Sequence, residues 1–256
     1  MSTFGLFGDG KSCELSPYYS TSLAFESYSA PHTAAAAAPT PTASQIEARI
    51  AKLESSLPPH STPYRPNLPL SPPVARAFSA VLSSACLSAR FRWVPSDYYS
   101  WPLEERASCL GAHSTKQLCK AMLMENVRHS GASTPLNSKH YLVVLQYVSS
   151  ISAPKLASAV RSLLPPAERL PPSKFEFRVA SEKDSDELTG FLHNSVSPFG
   201  LSTPVPVVMS RSIGEDVGFL WLGAGDVDLK VGVSVEDFER ATGASVLDVA
   251  EPRAGA

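Results

Sequence analysis

A chain of 256 residues, 43% apolar and 18% charged, can bury one good core, and its length admits one domain or two small ones. Its 23 prolines are about 9% of the chain against about 5% in average usage, and eleven fall within the first 73 residues, which excludes one compact fold running from Met1 to the C-terminus. Lys plus Arg is 22 and Asp plus Glu is 24, with no strongly basic segment, so the chain does not read as a protein that neutralises many phosphates along a duplex, whereas contact with only the end of a nucleic acid stays open.

Residues 1–43 are rich in Ser, Ala, Tyr, Thr and Pro, with an alanine run at Ala34–Ala38. Such a segment cannot bury enough surface to offset its ordering entropy, so a disordered extension is expected. Ser44-Gln-Ile-Glu47 is a capping box, and Ile46, Ile50, Leu53 and Leu57 follow at helical spacing until Pro58-Pro59. A lone short amphipathic helix is marginal in water, so its stripe needs the main domain, a second copy or a partner, with the domain favoured. A Pro-rich linker completes the segment 44–73. The main domain is expected over 74–250, with 251–256 as a tail.

Within the domain, Val74–Leu87 reads as a helix through Val74, Phe78, Val81, Leu82 and Ala85. A strand follows at Phe91–Val94, then a helix opened by Pro102, then an apolar strand at Leu118–Met124. Tyr141–Tyr147 is the clearest strand in the chain. Pro154 begins a helix with Leu156, Val160 and Leu163 on one face, and two Pro-Pro pairs in 165–172 mark a loop before the strand Phe175–Val179. Val205–Met209, Phe219–Leu222 and Val227–Val233 read as further strands. Ser234 caps a helix ending at Gly243, and Ser245–Val249 closes the chain as a strand. Strands and helices mix without strict βαβ alternation, which predicts an α+β domain with a mixed β-sheet core.

The four cysteines (Cys13, Cys86, Cys109, Cys119) have no CxxC spacing and read as free thiols of a reducing compartment. No apolar run approaches the ~20 residues of a membrane span, and Lys11 is the single basic residue of the first 40, so neither a signal nor a transit peptide is expected and the cytoplasm is the default. No GxSxG, HExxH, Walker or dinucleotide signature occurs, and the six histidines lack metal-ligand spacing, so neither metal nor cofactor is expected.

Two features stand out physically. Lys120 lies inside Leu118-Cys-Lys-Ala-Met-Leu-Met124, where an ammonium is costly unless it reaches water, a carboxylate or a ligand; a snorkelling or edge-facing lysine is the plain alternative. The segment Thr189-Gly-Phe-Leu-His-Asn-Ser-Val-Ser-Pro-Phe-Gly200 is long for a structureless connection. It carries small hydroxyl residues and little charge, and Pro-stiffened backbone there can present N–H groups to an oxygen; a plain connecting loop is the alternative.

Lys120 in a short strand, then Thr-Gly-Phe…Val-Ser-Pro-Phe-Gly, then Phe219-Leu-Trp-Leu-Gly-Ala-Gly225 and the Ser234–Phe238 helix start resemble the YbaK/prolyl-tRNA-editing family over about residues 88–250. Asn137-Ser-Lys-His-Tyr-Leu-Val-Val and Asp186-Glu-Leu-Thr-Gly190 look like a eukaryotic free-standing branch of that family. The resemblance implies a metal-independent hydrolase acting on the ester of mischarged aminoacyl-tRNA. Its partners would be the acceptor end of that tRNA and an aminoacyl-tRNA synthetase, with no membrane and no DNA. Lys120 matches the family's catalytic lysine, acting as electrostatic stabiliser rather than nucleophile. Gly190, Ser197, Pro198 and Gly200 match the loop that holds the aminoacyl end, and Gly223 and Gly225 the later glycine turn.

Other matches are looser. Asn194 stands where relatives carry Gly four residues before the proline, and Asn is the next-best residue for positive φ. Trp93 and Trp101 roughly match pocket-shaping aromatics, and a core role suits each equally well. Asp228 could correspond to an acidic residue near the glycine turn, and His193 is either exposed loop or a contact with the tRNA end. Two further readings stay beside the deacylase: a non-catalytic module joining a synthetase complex through its N-terminal helix, and hydrolysis of some other small ester or nucleotide conjugate in the same pocket.

Overall fold

The structure, a computed structural model, describes Ser44 and residues 70–253 other than 132 and 135. The expectations for the extension 1–43, for the helix behind Ser44 and for linker residues 58–69 lie outside the described residues.

Helix α1 (Pro72–Ser83) starts on two prolines, whose missing N–H groups cost nothing in a first turn. It buries Val74, Ala77 and Val81, one stripe at helical spacing. It stops short of Leu87: Ala85 adopts φ +50°, and Arg240 donates to the carbonyls of Ser84 and Ala85 at 2.7 and 2.9 Å, satisfying helix-end acceptors. Strand β1 (Arg90–Trp93) follows, then a 3₁₀ turn at Tyr98–Ser100 and helix α2 (Leu103–Leu110), for which Pro102 is the N-cap.

Strands β2 (Cys119–Asn126) and β3 (His140–Gln146) form an antiparallel ladder at the centre of a five-stranded mixed sheet. Its other members are β5 (Phe177–Val179), β6 (Val207–Ser210) and β9 (Ser245–Leu247), in the order β5-β2-β3-β6-β9 with β3, β6 and β9 parallel. β3 is covered on both faces, which is why it reads as an unbroken apolar run. Helix α3 (Ala153–Leu163) packs Leu156 and Val160 with Tyr141, Val143 and Val208 on one side. On the other, Val144 and Met209 share a core with Leu220, Leu222, Val231 and Val233. Those four belong to β7 (Phe219–Gly223) and β8 (Leu229–Ser234), which with β1 make an antiparallel sheet in the order β1-β8-β7. The fold is thus the α+β arrangement with a mixed sheet that the sequence predicts.

Several elements depart from the sequence reading. Helix α4 (Glu182–Thr189) carries no apolar stripe and was invisible to periodicity, but both caps are written in the chain: Ser181 Oγ accepts from the Asp184 N–H, and Gly190 closes the helix at φ +72°. Helix α5 (Arg211–Asp216) is too short for a pattern. Strand β4 (Ser149–Ile151) pairs with β10 (Ala250–Pro252), so Glu251 and Pro252, expected in the tail, belong to a ladder. Helix α6 (Val235–Thr242) lies between Ser234 and Gly243 as expected, with the Ser234 hydroxyl accepting from the Asp237 N–H. No helix of the described residues is long and apolar enough to cross a membrane.

Candidate functional site

A parallel bridge from Leu118, the residue before β2, to Trp221 of β7 ties the two sheets together at one corner. Beside it opens a cavity of about 650 Å³. Lys120 from β2, Leu222 and Gly223 from β7 and Lys230 from β8 line it, with Tyr98, Tyr99 and Tyr147 around them. His193, Asn194 and Val196 of the long loop and Glu182 and Asp186 of α4 form the rest of the rim.

Lys120 pairs with Leu145 in the ladder, and its half-buried side chain extends over the Tyr147 ring, 5.6 Å from the centroid. No carboxylate forms an ion pair with it among the described residues. Desolvation, helped by the Arg253 guanidinium, pulls its pKa below the ordinary lysine value. An unpaired, partly dehydrated ammonium at a cavity wall suits a developing negative charge.

Lys230 was missed by the sequence reading. It is 4% exposed, and its Nζ donates to the Val227 carbonyl at 2.6 Å and to the Tyr99 hydroxyl at 3.1 Å. Burial lowers its pKa to about 8 against the opposing pull of Asp228 and Asp226. The signal was present: a lysine in the apolar run 227–233, the same anomaly that singled out Lys120.

The loop between Gly190 and Gly200 is held by short-range hydrogen bonds from its own N–H groups. Phe191 N–H donates to Thr189 Oγ1, Ser195 N–H to the Leu192 carbonyl and Phe199 N–H to Ser197 Oγ. Asn194 takes φ +63°, as its match to a family glycine implies, and its carbonyl accepts from the Tyr99 hydroxyl at 3.0 Å. Ser197 and Pro198 are buried beneath the loop and do not line the cavity. Gly190 and Gly200 are held from outside by Arg76 and also stand away from it. Gly223 does line it: a Cβ there would lie 2.6 Å from the Val196 carbonyl oxygen, so glycine is what lets the loop touch β7. Gly225 donates its N–H to the Ser195 carbonyl and abuts the backbone of Pro73, outside the cavity.

Of the remaining sequence candidates, Asp228, Trp93 and Trp101 stand apart from the cavity. Asp228 binds through its backbone, N–H to Asp226 Oδ1 and C=O to Val94 N–H, while its carboxylate bears on Lys230 electrostatically. Trp93 sits opposite Leu229 in the β1–β8 ladder and packs on the main core. Trp101 packs behind Tyr98, ring centroids 5.8 Å apart. Both indoles therefore back the site rather than face it. His193 and Asn194 are exposed at the rim. No group of three His, Cys, Asp or Glu side chains that could hold a metal ion occurs among the described residues.

A family model described as the aminoacyl-tRNA editing domain matches residues 103–241. No curated protein matches the chain. Among solved structures, a protein proposed as a trans-editing enzyme for prolyl tRNA synthetase is 20% identical with a TM-score of 0.55, covering 72% of this chain and 99% of that one. A chain from work on computational grafting of epitopes onto scaffold proteins is 18% identical with a TM-score of 0.55, covering 72% and 100%. A hypothetical protein is 20% identical with a TM-score of 0.51, covering 69% and 99%. At these identities the likenesses establish the fold.

Proposed function

The chain belongs to the aminoacyl-tRNA editing domain (YbaK) family, and on that premise we propose that it acts in trans to hydrolyse the ester bond of mischarged aminoacyl-tRNA. The observation that carries this reading is the ammonium of Lys120, with no ion pair among the described residues, sharing one cavity with Asn194, Val196 and Gly223.

An aminoacyl ester is already activated, so its hydrolysis needs a positioned water or substrate hydroxyl and stabilisation of the oxyanion. Lys120 supplies the positive charge and the loop supplies backbone polar groups, which is why the reading asks for neither triad nor metal. The aromatic wall of Tyr98, Tyr99 and Tyr147 suits a terminal nucleoside, because stacking on such rings tolerates any base. The near-neutral net charge of −2 suits contact with a tRNA end rather than a long duplex. The cytoplasm is the compartment this reading calls for.

The test is incubation of the protein with tRNAs mischarged with Ala, Ser, Thr, Cys or Pro. Hydrolysis above buffer on at least one is expected, with Lys120→Ala slowed by about 100-fold or more, as for loss of an oxyanion donor. No hydrolysis above buffer, or an unimpaired Lys120→Ala variant, overturns the reading. The capping box and apolar stripe of residues 44–57 favour a second role, tethering to a synthetase, which coexists with catalysis. A pull-down with a synthetase that survives deletion of residues 1–60 counts against it.

A further inference from the structure

A buried lysine without a carboxylate partner is expensive, and a methionine of similar length would fill the same volume without dehydrating a charge. Lys230 is such a lysine: 4% exposed, with no ion pair among the described residues. It does not snorkel to bulk water. Two of its three donors go to the Val227 carbonyl and the Tyr99 hydroxyl, and its Nζ stands 4.6 Å from the Tyr99 ring centroid.

Tyr99 in turn cannot shift freely. Arg106 of α2 donates to the Tyr99 carbonyl and to that of Trp101, and its guanidinium lies 5.4 Å from the Tyr99 ring centroid. The Tyr99 hydroxyl accepts from Lys230, so its one proton is left to donate, and the Asn194 carbonyl at 3.0 Å shares it with the neighbouring Tyr147 hydroxyl. Asn194 is the non-glycine residue of the loop at positive φ, a conformation asparagine adopts more readily than most side chains and that a hydrogen bond to its carbonyl further fixes.

We propose that Lys230 is a positioning residue of this site: acting through Tyr99, it holds the Asn194 turn in its left-handed conformation and thereby sets the loop backbone that lines the cavity with Lys120. The proposal rests on the deacylase reading for its catalytic consequence, but not for the anchor itself. The chain Lys230–Tyr99–Asn194 is polarised from its cationic end, so the ammonium strengthens the second bond as well as making the first. The groups that face Lys230 are Tyr98 and Tyr99 from the 3₁₀ turn, Arg106 from α2, and Asp226 and Asp228 from its own turn.

Three variants, Tyr99→Phe, Lys230→Met and Lys230→Arg, test it in two assays on the full chain. Hydrogen exchange is followed by mass spectrometry over residues 191–199, and kcat and KM are measured on whichever mischarged tRNA the wild type hydrolyses. Tyr99→Phe keeps the ring and removes the relay, so faster exchange confined to the loop is expected. Its kcat is expected to fall about tenfold, the cost of one hydrogen bond, with KM within about twofold. Lys230→Met behaves alike, and Lys230→Arg restores most of kcat.

The pH profile separates positioning from packing. Corrected for its intrinsic pH dependence, wild-type exchange over residues 191–199 quickens as the pH rises through about 8, where Lys230 gives up its proton, and that step is absent in Lys230→Arg, whose guanidinium stays charged; exchange is read here because Lys120, its own pKa lowered, also bears on kcat. Wild-type exchange and kcat in Tyr99→Phe overturn the proposal, even if the lysine variants fail to fold. An exchange step near pH 8 that persists in a folded Lys230→Arg overturns the charge-borne part. A wild type inactive on every tRNA overturns the deacylase reading instead, and the exchange data then decide the anchor alone.

Discussion

Arg76 donates its Nε–H to the carbonyl oxygen of Gly200 at 2.7 Å, from a helix that lies outside the family-matched residues 103–241. Its Nη2 donates to the Gly190 carbonyl at 2.6 Å, so one guanidinium spans both ends of the long loop. The same group lies 4.9 Å from the Phe191 ring centroid. Both glycines have positive φ, and a Cβ on either would run into Arg76 or its backbone. Helix α1 therefore belongs to the working domain, as a clamp on the loop.

Arg76→Ala is expected to lose about 2–3 kcal/mol of stability, since two charge-assisted bonds go and two carbonyls are left without that donor. Urea denaturation gives the number. A loss below about 0.5 kcal/mol would mean that the loop holds itself.

Lys120→Met separates stability from activity. The ammonium has no ion-pair partner and is partly dehydrated, so replacing it with an apolar chain should leave the melting temperature equal or slightly higher. Deacylation should nonetheless be lost. A strongly destabilised variant would recast Lys120 as structural.

Lys230 makes a prediction about stability and pH. Its folded pKa is about 8, below the ordinary lysine value of 10.5, so the unfolded state binds more protons between those values and stability rises with pH there. The burial-raised groups Cys119, Tyr98 and Tyr99 act oppositely at alkaline pH, because the unfolded state gives up their protons first. The informative quantity is therefore the stability of wild type minus that of Lys230→Met, which should rise by about 2–3 kcal/mol between pH 7 and pH 10. A flat difference in denaturation experiments would place the Lys230 pKa near its unfolded value.

Gly223→Ala tests the contact between loop and strand. Its Cβ would lie 2.6 Å from a backbone oxygen of Val196, so the loop must withdraw. We expect about 1–3 kcal/mol of destabilisation, the usual cost of overpacking, and a several-fold loss of kcat/KM. Thermal melts and steady-state kinetics check it.

Much of this was legible in the chain. β3 announces itself because a strand covered on both faces must be apolar throughout, and α6 because its Ser and Gly caps stand at either end of a periodic segment. Lys120 was visible as a charge where burial should forbid one. Lys230 bears the same mark in the run 227–233, yet only its distance to Tyr99 distinguishes it from a lysine at an exposed edge. α4 has caps but no stripe, so periodicity passed it by.

The sequence by itself determined the α+β class, most strands, the loop with its glycine ends and the oddity of a charge at Lys120 in an apolar strand, because these rest on local pattern and on the cost of burying charge. Only the tertiary structure decided which of those residues face the cavity. Trp93, Trp101, Gly190, Ser197, Pro198, Gly200, Gly225 and Asp228 stand back from it, while Tyr99, Tyr147 and Lys230 line it. That choice depends on the Leu118–Trp221 bridge and on the packing of α1 through Arg76, contacts across about a hundred residues that no local spacing encodes.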